Sequence, residues 1–194
     1  LVRGLGLKGV EIPSTINGME VGDKAFRPFW RKAEQLDVPV FIHPAGNSDP
    51  RLHKFGLAFT VGQPYEEALA MSSLIYEGVL DRFPKLKILI AHGGGYLPFY
   101  AGRQDNARKS GSDGARLNGS FSAYLRKFYY ETVIFNPDML DFLTTKTSVG
   151  HVIMGTDYPF GEKAPISFVR RAKTLSDRDK DNILGRNAAK LYKL

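Results

Sequence analysis

An α/β fold built on a parallel sheet is what this sequence predicts, and three observations carry it. Short apolar runs, each too short for a helix, recur along the chain and stop at turn residues, the pattern of strands buried on both faces. Segments with helical spacing stand between them, which implies βαβ units. Three of the runs close on a residue that carries chemistry: 38–42 on His43, 87–91 on His92, and 151–156 on Asp157.

In chain order, a short strand over 8–12 is closed by Pro13 and a polar loop with Asn17-Gly18. Asp23 stands where a helix cap belongs, ahead of Phe26, Phe29, Trp30, Ala33 and Leu36, whose spacing builds one apolar face. After the strand over 38–42 comes a long loop, 45–63, and loops of that length in a compact domain are usually functional. Pro64 suits the first turn of a helix through Leu69, Ser72, Ile75 and Val79 that ends before Pro84. The strand over 87–91 precedes a helix over 97–108 and a Gly/Ser/Asn-rich loop over 110–122. A strand over 128–135 leads to a helix that starts at Asn136-Pro137 and runs through Leu140 and Leu143. The strand over 151–156, a Gly/Pro-rich loop and two helices over 166–174 and 177–194 complete the order. Five strands with no linker between them predict a single domain over 1–194. Such folds present their functional groups at the C-terminal ends of the strands, where His43, His92 and Asp157 fall.

Composition narrows the class. The 194 residues are 43% hydrophobic and 24% charged, ordinary for a soluble globular domain, whereas α/β barrels usually need roughly 250 residues. No apolar run approaches the roughly 18 residues of a membrane-spanning helix, so no membrane partner is expected. The first residues lack a signal peptide's long apolar region and cleavage site, and they read as starting inside a domain. Cysteine is absent, which removes disulfides and thiolate ligands; the cytoplasm is the default compartment. The net charge of +7 suits either nucleic acid or an anionic small substrate. Basic residues are spread along the chain without interleaved aromatics, so solvated helix faces are the better account and no nucleic-acid partner is expected.

Each candidate residue has a bland reading beside its functional one. His43, before Pro44, is either a metal ligand or a loop histidine bonded to a carbonyl. His92, before three glycines, is a ligand, a proton-transfer group or a packed histidine. Asp157, in Gly155-Thr156-Asp157-Tyr158-Pro159, is a ligand, a base or a turn carboxylate. Their shared position at three strand ends favours the functional readings. His151 begins its strand, at the opposite end, and reads as structural. His53, in the long loop, either reaches a substrate or faces water. Glu11 and Glu131 lie in or near strands; turned inward they are candidates to orient a ligand histidine, turned outward they are solvated.

Taken together, Phe41-Ile42-His43-Pro44, Phe83-Pro84-Lys85-Leu86-Lys87 leading into Ala91-His92-Gly93-Gly94-Gly95, and Gly155-Thr156-Asp157-Tyr158-Pro159-Phe160 closely resemble the amidohydrolase superfamily. Within it the chain is similar to the branch of metal-dependent decarboxylases that includes aminocarboxymuconate-semialdehyde decarboxylase. The resemblance covers essentially all 194 residues. It implies a TIM-like (β/α)8 barrel of the metal-dependent hydrolase type with one divalent metal at its C-terminal face, zinc first and manganese second. It implies that His43 and Asp157 are metal ligands, that His92 and Asp157 are catalytic, and that Arg103 binds substrate in the neighbouring subunit of a homodimer; the bland reading of Arg103 is a solvated helix residue. The implied substrate is a small-molecule carboxylate, decarboxylated in the first reading. A metal-dependent hydrolase of an amide, ester or lactone is the alternative, and a catalytically incompetent fragment a third. The family's first-strand His-x-His or Glu-x-His pair is absent, and the five strands read as the last five of the eight. Two expectations follow: weak metal binding without activity in this chain alone, and a sheet whose two edges and apolar inner face are exposed.

Overall fold

In the computed structural model, which describes residues 2–46, 48–111 and 117–194, five parallel strands form one sheet. In chain order the strands are β1 (Val10–Pro13), a two-residue pair β2 (Thr15–Ile16) and β3 (Met19–Glu20), β4 (Val40–His43), β5 (Ile88–Ile90), β6 (Tyr129–Glu131) and β7 (Val152–Ile153). The sheet runs β1-β4-β5-β6-β7, while β2 and β3 make a separate antiparallel hairpin across Asn17-Gly18. The first residue, Asn47 in the predicted loop 45–63, and positions 112–116 of the predicted loop 110–122 lie outside the described residues.

Pairing puts alternate residues on two faces. Val40, Ile42, Ile88, Ile90, Tyr130 and Val152 turn toward the helices and join the main core. Helix Arg27–Leu36 contributes Trp30 and Ala33 to it, and helix Gln63–Tyr76 contributes Ala68, Ala70, Met71, Leu74 and Ile75. Trp30 is fully buried, and its indole Nε1 donates to the Val21 carbonyl at 2.8 Å, so its one polar atom is satisfied. Asp23 caps a single 3₁₀ turn, Lys24–Phe26, by accepting from the Ala25 amide, and the α-helix begins only at Arg27. The predicted helix after Pro64 breaks at Gly78, in the left-handed region at φ 68°, and resumes as the single turn Val79–Arg82.

Phe41, Leu89, Tyr129 and Ile153 occupy the other face, and here one expectation is corrected. The apolar inner face is not exposed: Leu191, Ala188 and Tyr192 of helix Asn187–Tyr192 cover it, leaving Leu89 and Ile153 buried. This helix follows a π-helical turn, Asn182–Arg186, that also blunts the β7 edge. Ile183 O accepts from the Met154 amide at 3.0 Å, and Asn187 Nδ2 donates to the Val152 carbonyl at 2.8 Å. Past Tyr192, Lys193 pairs with Asp37 at 2.5 Å, beneath β4. Among the described residues no further strand pairs with β1.

Asp141, in helix Pro137–Lys146, is a buried clamp. Its carboxylate accepts from the Lys173 amide at 2.8 Å, the Thr174 amide at 3.1 Å and the Thr174 hydroxyl at 2.7 Å. Burial alone raises this carboxyl, but those donors outweigh it and hold it below the usual range. Its contribution is therefore fully present above the unfolded-state carboxylate pKa and is lost as pH falls through the lower folded value. Asp141→Asn is expected to cost about 2–3 kcal/mol near neutral pH, because an amide NH₂ is turned on donors. Urea denaturation checks this, and an unchanged midpoint excludes the clamp.

Candidate metal centre

Strand ends build the site. His43 is the last residue of β4, His92 follows β5 by two residues, and Asp157 follows β7 by four. The structure brings these three together: one ligand atom from each, two imidazole nitrogens and a carboxylate oxygen, lies within 4.8 Å of the others. Asp157 is the hub, with Oδ1 at 3.7 Å from His43 Nε2 and Oδ2 at 3.7 Å from His92 Nε2. The imidazoles meet edge to face, with centroids 5.3 Å apart. His92 and Asp157 both hold positive φ, 46° and 50°, a conformation uncommon outside glycine that recurs at functional sites.

The free donor atoms fit a divalent ion. His43 Nδ1 lies 3.2 Å from the Pro44 carbonyl, and a carbonyl only accepts, so the proton belongs on Nδ1 and the Nε2 lone pair faces Asp157. Imidazole plus carboxylate is a donor set that zinc and manganese both accept.

Two buried carboxylates stand behind His92. Glu67, fully buried in helix Gln63–Tyr76, contacts His92 Nδ1 through Oε1. Glu131 closes β6; its Oε2 accepts from the His92 amide at 3.0 Å and its Oε1 from the Val133 amide at 2.9 Å. Burial pushes both carboxyls up, each to about 7. Burial alone lowers the His92 imidazole, but Glu67, with Glu131 and Asp157 behind it, outweighs burial and the net shift is upward. Glu131 therefore holds the main chain of His92 and not its ring. Glu11 shares the inner face but is exposed on edge strand β1, away from the cluster, so it orients no ligand histidine.

Glycines fit the machinery together. A Cβ on Gly95, at φ 61°, would lie 2.2 Å from the Pro64 carbonyl oxygen, so only glycine lets the His92 turn seat against the start of helix Gln63–Tyr76. A Cβ on Gly155 would lie 2.1 Å from Glu131 Oε1. Gly155→Ala is therefore expected to dislodge that carboxylate, strand two buried amides and destabilise the chain by about 3 kcal/mol. A thermal melt within 1 °C or so of wild type would contradict it.

His92 and Asp157 form the polar end of a cavity of about 660 Å³. Its walls are mostly apolar, with Phe59, Phe99, Phe135, Phe142 and Phe160 among them, and no Lys or Arg of the described residues lines it. Arg103 is exposed on helix Leu97–Lys109 and does not line this cavity. His53 is exposed in its loop and lies off the cavity. His151 stands at the other end of the sheet, its Nδ1 3.1 Å from the Phe128 carbonyl and its ring stacked on Tyr129. Sequence reasoning missed Glu66 and Glu67; their only signal was two adjacent acids in the first turns after a helix-starting proline.

A parallel sheet with a His/His/Asp cluster at its C-terminal ends defines an α/β protein with a candidate metal site. The chain belongs to the amidohydrolase family, whose sequence model matches residues 1–194. Among curated proteins, 2-amino-3-carboxymuconate-6-semialdehyde decarboxylase of Dictyostelium discoideum is 36% identical over 191 residues, 95% of this chain and 53% of that protein. Gamma-resorcylate decarboxylase of Rhizobium radiobacter is 29% identical, covering 87% of this chain and 54% of its own length. Among solved structures, 5-carboxyvanillate decarboxylase of Sphingomonas paucimobilis matches 98% of this chain and 60% of its own with a TM-score of 0.89 at 27% identity. A 5-carboxyvanillate decarboxylase of Novosphingobium aromaticivorans, complexed with manganese and 4-hydroxy-3-methoxy-5-nitrobenzoic acid, matches 100% of this chain and 58% of its own, with a TM-score of 0.90 at 26% identity. The chain spans about half the length of the curated relatives it matches. Among the described residues no helix is long and apolar enough to cross a membrane.

Proposed function

We propose that this chain carries the metal-site half of a decarboxylase acting on a small aromatic or unsaturated carboxylic acid. The observation that carries the reading is a His/His/Asp cluster at one end of an apolar, phenylalanine-walled cavity without a cation. Such a cavity takes a ring with a single carboxylate, whose charge is met at the cluster end. His43 and Asp157 would hold a divalent ion, zinc first and manganese second, which supplies Lewis-acid polarisation of a substrate oxygen. His92 faces Asp157 through Nε2, and its acid form holds a proton there. As the bond between the carboxylate and its carbon breaks, the electron pair stays on that carbon and takes the His92 proton, and carbon dioxide leaves. The phenylalanines hold the ring and exclude water.

In this reading Arg103, exposed on its helix and outside this cavity, would serve the site of a neighbouring subunit in a homodimer, and a cytoplasmic location goes with the same proposal. The test compares carbon dioxide release from substituted benzoic acids with hydrolysis of lactones and esters, in a protein spanning the full length of its relatives. Carbon dioxide release with a stoichiometric divalent ion is the expected result. Lactone or ester hydrolysis without it would favour the hydrolase alternative, and activity at full length with none in this chain alone would mark the chain as the incompetent fragment.

A further inference from the structure

We propose that Glu66 and Glu67 are the positioning residues of this site, one for each of two strand ends, and that Glu67 fixes the His92 ring with its proton on Nδ1. The inference rests on the reading of His43, His92 and Asp157 as the functional cluster.

Adjacent residues on a helix point about 100° apart, so one pair of acids in helix Gln63–Tyr76 addresses two directions. Glu66 turns to the loops after β1 and β4. Its Oε2 accepts from the Ser14 hydroxyl at 2.7 Å, the Ala45 amide at 2.8 Å and the Gly46 amide at 3.1 Å. Ser14 itself donates its amide to the His43 carbonyl at 2.9 Å, so one carboxylate ties down both sides of His43. Glu67 turns to the loop after β5 and meets His92 Nδ1. Both side chains are buried, and among the described residues neither pairs with a Lys or Arg.

Taking a carboxylate out of water costs several kcal/mol unless donors replace the lost hydration. Every donor shown here for these two belongs to the site's own loops or to His92. Glu66 lies in the first turn of its helix, where the free amides favour negative charge. With Nδ1–H given to Glu67, the remaining lone pair sits on Nε2, the atom that faces Asp157. The opposite tautomer would present two lone pairs to each other at Glu67 and a proton to the cluster.

Nitrogen NMR of the histidine-labelled, metal-free chain tests this, at a pH high enough to keep the imidazole neutral. His92 is expected as the Nδ1–H tautomer, although free histidine favours Nε2–H. Glu67→Met should release His92 toward the Nε2–H form, and Glu67→Gln, which keeps an acceptor oxygen, should restore Nδ1–H. Glu66→Gln should leave the His92 tautomer alone and weaken zinc or manganese binding about 10- to 100-fold through His43. An Nε2–H tautomer in the unsubstituted chain overturns the proposal, even if every variant fails to fold. So does a folded Glu67→Met variant with an unchanged tautomer. No substrate is present, so Nδ1–H without carbon dioxide release would overturn the decarboxylase reading alone.

Discussion

In a protein spanning the full length of its relatives, Asp157→Ala should abolish turnover and severely weaken metal binding. Asp157 is the one residue of the cluster that touches both histidines, at 3.7 Å each. Its removal deletes the one carboxylate of the cluster and leaves His43 as the only ligand assigned here. Residues that only orient a ligand typically cost 10- to 100-fold in metal affinity, so loss of a ligand is expected to exceed that, on the order of 10³-fold. Titration with zinc and with manganese, followed by elemental analysis, reads it out. Stoichiometric metal retained in Asp157→Ala would remove the carboxylate from the ligand set. The variant should otherwise fold, because the positive φ at Asp157 costs its fold about 1 kcal/mol and Gly is available as a second replacement without that strain.

His92→Ala separates chemistry from binding. Turnover should fall by roughly two to four orders of magnitude, the range for a proton-transfer group, while metal content stays. Loss of metal together with turnover would make His92 a ligand, and near-normal turnover would remove it from the reaction. Glu67 is left facing a void in this variant. Its raised pKa lets it take a proton there, which limits the cost of losing its partner.

The parts legible in the sequence are those that a buried parallel strand writes directly. Residues 38–42 and 88–91 are apolar because both faces are covered, and the polar residue that follows must lie at the strand end. The strand is shorter than the mostly apolar run over 128–135 for a physical reason. The ladder stops at Glu131, and Val133 gives its amide to the Glu131 side chain. An apolar run cannot reveal that exchange. Glu66 and Glu67 were invisible because adjacent acids in a helix look like a solvated face. The hairpin at Asn17-Gly18 carried the usual turn signal, but two residues on each side are too few to show alternation. Helix 177–194 was read as continuous, whereas its π-helical turn follows from the way Ile183 reaches the β7 edge.

The helix over the inner face also has a kinetic meaning. Lys8 Nζ reaches the Lys193 carbonyl at 3.5 Å, so seating this helix joins segments 185 residues apart. Closing that loop has an entropic cost that is recovered only once β1 and β7 already flank the sheet. Docking of Asn187–Tyr192 is therefore a late folding event and its release an early unfolding one, with amides expected to exchange hydrogen sooner than those of β5. In the interval Phe41, Leu89, Tyr129 and Ile153 lose their cover, and exposed apolar surface of that kind makes this half-finished state the one expected to self-associate.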